Sequence, residues 1–171
     1  MADRSQSESA LVQFSERLTN SAAFGTLFRE GMDLVEETAA YLDGGGREDS
    51  KLLSRNAALA YAGESMRLTT QLMQVASWLL VQRAVREGEM AASAAFDDRY
   101  RLAPDAPGAP SAVEAPIEDL PMSLVHLCER SERLFERVRR LDHRMYMQDE
   151  LAIEAPHPVL SQFDRLRDAF S

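Results

Sequence analysis

Between residues 21 and 43 apolar side chains recur in alternating steps of three and four: Phe24, Leu27 with Phe28, Gly31, Leu34 with Val35, Thr38, and Tyr41 with Leu42. That period places them on one stripe of an α-helix, with Asp33, Glu36 and Glu37 off it. Asn20 and Ser21 suit the N-cap, because their side chains accept from the free N–H groups of the first turn. Asp43 closes the segment. Gly44, Gly45 and Gly46 end it, since glycine takes the left-handed cap conformation without penalty.

A second, longer helix is predicted over about 51–95, capped by Asp49 and Ser50. One seam holds Leu52, Leu59, Met66, Met73 and Leu80 at seven-residue intervals, beside Ala62 and Ala76. A second seam, roughly opposite, holds Tyr61, Leu68, Leu72, Val75 and Leu79. Two apolar seams predict a helix sandwiched between neighbours. Ala57, Ala58, Ala60, Ala62 and Gly63 narrow its waist, and Gly88 weakens or ends its last turns. Five of the seven prolines then fall between Pro104 and Pro121, so residues of about 98–120 read as a Pro-rich loop.

The third helix, about 121–148, carries Leu124, Leu127 with Cys128, Ser131, Leu134 with Phe135, Val138, Leu141 and Met145 on one stripe. Glu129 with Arg133 and Glu136 with Arg140 are i,i+4 pairs in the favourable order. Pro156 and Pro158 break the chain again. Val159, Leu160, Phe163, Leu166 and Phe170 then line one side of a short amphipathic tail, too short to hold a helix alone in water. Residues 1–20 form a polar lead with a helical turn around Leu11, Phe14 and Leu18, and 150–171 form a flexible tail. The fold expected is all-α: a three-helix up-down-up bundle with flexible termini.

At 171 residues the chain suits a single domain with a core large enough to need no staples. A net charge of −9 disfavours nonspecific binding of nucleic acid or anionic membrane by the whole molecule. Cys128 is the single cysteine, which excludes an intramolecular disulfide and fits a reducing compartment. The N-terminus has no apolar run of signal-peptide length, and the most apolar stretch, around Leu79, Leu80 and Val81, falls short of a membrane span. The chain therefore reads as cytoplasmic.

No motif of catalysis or of cofactor or metal binding stands out. Glu154 and His157 form a Glu-x-x-His, but Pro156 inside it opposes the helical geometry a di-iron bundle needs. The glycines at 44–46 come after a helix where a phosphate loop would precede one. Cys128 on the apolar stripe reads as a packed thiol. His126 and His143 lie beside that stripe. Arg139, Arg140 and Arg144 near His143 could balance a phosphate, so a histidine phosphotransfer domain is the alternative reading. Solvated histidines are the commoner case.

Three surfaces are candidates for binding other proteins. Trp78 projects off both seams, with Val81 and Val85 continuing its stripe towards the helix end, which suggests a dimer or partner contact unless a terminal segment covers it. Arg130, Arg133 and Arg137 on the third helix either pair with the interleaved glutamates or dock an acidic partner. The apolar tail side chains Val159, Leu160, Phe163, Leu166 and Phe170 either cap the bundle or engage a partner groove.

The strings FGTLFREGMDLVEETAAYLDGGGR and LSRNAALAYAGESMRLTTQLMQVASWLLVQRAVREGEM resemble the alphaproteobacterial RcdA family, the regulator of CtrA degradation. The likeness is closest over about residues 22–92 and extends to the Arg/Glu pattern of the third helix. It implies a dimeric three-helix bundle that catalyses nothing and serves the ClpXP protease as an adaptor. The implied partners are ClpX primed by CpdR, the cyclic-di-GMP-binding protein PopA, substrates such as CtrA, and a second copy of the chain, with no direct nucleic acid and no membrane insertion. The resemblance also implies transient gathering at a cell pole. It carries over no catalytic residues and assigns no partner contact to a particular side chain.

Overall fold

The computed structural model describes residues 21–95, 97–102 and 119–154. Among them every regular element is helical: α1 (Ala22–Asp43), α2 (Gly45–Lys51), α3 (Arg55–Arg86), α4 (Ala92–Ala95), a 3-10 turn (Asp98–Tyr100) and α5 (Met122–Glu154). The long helices α1, α3 and α5 each pack against the other two. The expected N-terminal turn, most of the Pro-rich loop and the tail from residue 155 lie outside the described residues.

Helix α1 begins and ends where its polar pattern predicts. Ser21 Oγ accepts from the Phe24 N–H at 3.2 Å, and Gly44 closes the far end with its N–H on Ala40 and Tyr41 carbonyls. The segment after Gly44 departs from the expectation. The glycines open a further helix, α2, so Asp49 and Ser50 are not free to cap the next one. Asp49 Oδ2 accepts from Tyr41 Oη at 2.9 Å, and Ser50 Oγ donates to the Arg47 carbonyl. The cap of α3 is Ser54, whose Oγ accepts from the Ala57 N–H. At its other end α3 stops at Arg86, short of residue 95. Gly88 sits at φ 75°, a left-handed conformation that a side chain rarely adopts, and turns the chain away. Helix α5 runs on to Glu154, past its expected end at 148.

The core is built from Phe24, Leu27 and Leu34 of α1, Leu68, Leu72, Val75 and Leu79 of α3, and Leu124, Leu127, Leu134, Phe135, Val138 and Met145 of α5. Gly31 sets the closeness of α1 to α3: a Cβ there would come within 2.6 Å of Leu79 Cδ1. Two buried polar contacts tie α3 to α5. Ser131 Oγ donates to Gln71 Oε1 at 2.8 Å, and Trp78 Nε1 donates to Asp142 Oδ1 at 2.9 Å. Most buried polar groups are paired in this way, whereas Gln82 Oε1 on the same flank of α3 is buried without a partner among the described residues. Among the described residues no helix is long and apolar enough to cross a membrane.

Candidate protein-interaction surface

The two seams expected on α3 have opposite fates. Tyr61, Leu68, Leu72, Val75 and Leu79 are buried against α1 and α5. Leu52, Leu59, Met66, Met73 and Leu80 are exposed, at 86%, 50%, 73%, 66% and 51%. Leu52 lies just before α3, and the other four stand on the helix opposite its buried arc, so the expectation of a sandwiched helix is corrected. Only one side of α3 faces neighbours among the described residues. The α3 sequence did not reveal this, because large apolar residues stand on both of its sides and polar ones are mixed among them.

Four of the five exposed residues fall on one helix at strict seven-residue steps. Between them stand small side chains: Ala62 and Gly63, Thr69 and Thr70, Ala76 and Ser77. Large side chains alternating with small ones at this period make a ridge-and-hollow face of the kind helices use against each other. Singly exposed leucines are ordinary on a protein surface, but a contiguous apolar row marks an interaction site.

Trp78 goes the other way. It is 2% exposed, and the flank it shares with Gln71 and Gln82 turns towards α5. It is α5, and not a second molecule or a terminal segment, that covers this flank, and it offers polar partners: Asp142 for Trp78 and Ser131 for Gln71. Val81 and Val85 are half-buried beside it. Trp78 is a core side chain and is unavailable to a partner.

The arginines of α5 are largely engaged by the molecule itself. Arg130 Nη1 meets Glu37 Oε2 and Arg137 Nη1 meets Glu30 Oε2, each at 2.6 Å, which clips α5 to α1. Arg133 reaches Glu129 at 3.9 Å, a loose version of the expected i,i+4 pair. The other expected pair does not form: Glu136 takes Arg139, at 2.9 Å, in place of Arg140. Such exposed pairs contribute at most about 1 kcal/mol each and chiefly set how the helices align. The tail candidates Val159, Leu160, Phe163, Leu166 and Phe170 lie outside the described residues.

His126 and His143 are exposed, as the sequence suggested. Cys128 is half-buried, and burial with Glu64 nearby pushes its thiol up to about 11, so it stays protonated and unreactive at neutral pH. Arg67 pairs with Glu64 on its own helix α3 and reaches across to Glu132 of α5. The exposed Leu/Met row is the surface that sequence reasoning misplaced. Its spacing was visible, but nothing in the sequence of α3 said which seam would be left outside.

Comparison with known proteins agrees with this architecture. Residues 15–170 match the family described as "Protein of unknown function (DUF1465)". The crystal structure of RcdA from Caulobacter crescentus CB15 is 61% identical, covering 77% of this chain and 98% of that one, with a TM-score of 0.64. A search of curated proteins gave no match. Over nearly the whole of the bundle, then, this chain belongs to the RcdA family.

Proposed function

We propose that this protein is a non-enzymatic adaptor that pairs with a second copy of itself and delivers substrates such as CtrA to the ClpXP protease. The observation that carries the reading is the exposed Leu59–Met66–Met73–Leu80 row on α3 of an RcdA-family chain. A helix face of that kind has no use in isolation and fits against its own copy. Covering an exposed Leu or Met side chain is worth about 1.5–3 kcal/mol. With the four side chains 50–73% exposed, covering the row of each of two copies is worth about 7–14 kcal/mol, comparable with an association cost of roughly 4–15 kcal/mol.

In this reading the three long helices run up-down-up, and the surfaces outside the α3 row receive the other partners. These are ClpX primed by CpdR, PopA and the substrate. The tail bearing Val159, Leu160, Phe163, Leu166 and Phe170 serves as a tether taken up by a partner groove. The protein acts in the cytoplasm and gathers transiently at a cell pole. Degradation of CtrA by reconstituted ClpXP with CpdR and PopA tests the reading: turnover quickens when this protein is added, and unchanged turnover defeats it. Removal of residues 156–171 should impair delivery of at least one substrate while shifting the melting temperature by only about a degree or two.

A further inference from the structure

The far end of α5 gathers positive charge in a molecule whose net charge is −9. Arg137, Arg140 and Arg144 recur at steps of three and four, so they share one face. They border a groove of about 300 Å³ whose floor includes Phe24 and Leu27 of α1. On the opposite flank Arg101, Arg139 and His143 border a second hollow of about 500 Å³, which Leu102 also lines. Arg140 and Arg144 stand between the two and line both.

These cations differ in how far they are spent. Arg137 is held by Glu30 and Arg139 by Glu136. Arg140 and Arg144 are exposed and have no ion-pair partner among the described residues. One helical turn apart, they also repel each other. Among the described residues the single carboxylate that lines either hollow is Asp142, which is buried and occupied by Trp78. Two unspent guanidinium groups beside an apolar floor make a surface complementary to carboxylates flanked by hydrophobic side chains.

We infer that this end of the bundle receives an acidic segment of a partner polypeptide, with its carboxylates on Arg140 and Arg144 and an apolar side chain against Phe24 and Leu27. The choice of a polypeptide rests on the proposed role as an interaction protein. Charge argues the same way. Among the described residues a nucleic acid would meet two arginines without an ion-pair partner, with Glu30 and Glu136 close by, and would find no exposed aromatic on the groove floor to stack on.

The test uses the full-length protein and a fluorescent synthetic peptide in which Glu and Asp alternate with Leu. A matched peptide carrying Gln and Asn, and a single-stranded oligonucleotide, are measured beside it. The acidic peptide should bind, less tightly as salt rises. Arg140→Glu with Arg144→Glu should weaken it about tenfold or more. Arg47→Glu with Lys51→Glu on α2 should leave it unchanged. Since neither Arg140 nor Arg144 holds another element, the double variant should melt with the wild type; Arg140→Gln with Arg144→Gln provides a second variant with no charge reversal. Any of three results overturns the inference: no binding of the acidic peptide, equal binding by wild type and both double variants, or tighter binding of the oligonucleotide. The assay contains no protease, so it separates the two proposals. Arginine-dependent peptide binding with no effect of the protein on CtrA turnover defeats the adaptor and leaves this surface standing. Faster turnover without peptide binding does the reverse.

Discussion

Trp78 donates its indole N–H to Asp142 Oδ1 at 2.9 Å across the α3–α5 interface, with both side chains nearly sealed from solvent. The bond explains how a carboxylate and an indole tolerate the same interior, and it places the largest side chain of α3 in the core. Trp78→Phe keeps most of the apolar volume but strips Asp142 of that donor. It should cost about 1–3 kcal/mol, the usual penalty for leaving a buried polar group unpaired, measured by urea denaturation. A stability equal to wild type would mean that the bond contributes nothing.

Asp142 also gives a pH dependence. Burial pushes its carboxyl above the usual aspartate range, against the pull of the Trp78 bond and a backbone bond to Leu102. Its folded pKa therefore lies above its unfolded one, so the folded state favours the protonated form. The associated stability is fully present below about pH 4 and is lost as pH rises through the folded value. Asp142→Asn should remove this dependence, so its stability relative to wild type should rise between acid and neutral pH. A difference that stays flat over that range contradicts the assignment.

At Gly31 the prediction is steric. A methyl group there would come within 2.6 Å of Leu79 Cδ1, and Leu79 is 0% exposed. Gly31→Ala gains up to about 1 kcal/mol of helix propensity but overpacks the contact, which typically costs about 1–3 kcal/mol. A net loss in thermal or urea denaturation is expected. Leu79→Ala in the same chain should cost less than the two changes summed, because each makes room for the other.

How legible the sequence was depended on how one-sided each helix is. Helices α1 and α5 carry one apolar stripe and a charged remainder, so their buried faces were readable down to Phe24, Leu34, Leu134 and Val138. In α3 leucines and methionines occupy the outside, while Gln71, Trp78 and Gln82 are buried. Periodicity counts apolar residues and is blind to partners. Only the arrival of Ser131 and Asp142 on α5 makes the Gln71 and Trp78 flank the inner one. Helix α2 was missed because three consecutive glycines signal an ending more strongly than a beginning. At the α5 end the arginines were visible, but Glu136 was assigned to Arg140. The three-residue spacing to Arg139 won, and that choice left Arg140 without an ion-pair partner among the described residues.

The α3 row yields a prediction about assembly. Met66 and Met73 are 73% and 66% exposed, so charge there should not disturb the fold of a single chain. Met66→Glu with Met73→Glu should sediment as a folded monomer with wild-type helix content, whereas wild type should sediment as a dimer. A double variant that remains dimeric would place the self-association surface elsewhere.

The central claim, delivery of a substrate to a protease, is tested most directly by the half-life of CtrA in a mixture of ClpXP, ATP, CpdR and PopA, with and without this protein. Addition of the wild-type chain should shorten the half-life several-fold, and omission of CpdR should abolish the effect. An identical half-life with and without the protein, in the complete mixture, would contradict the account.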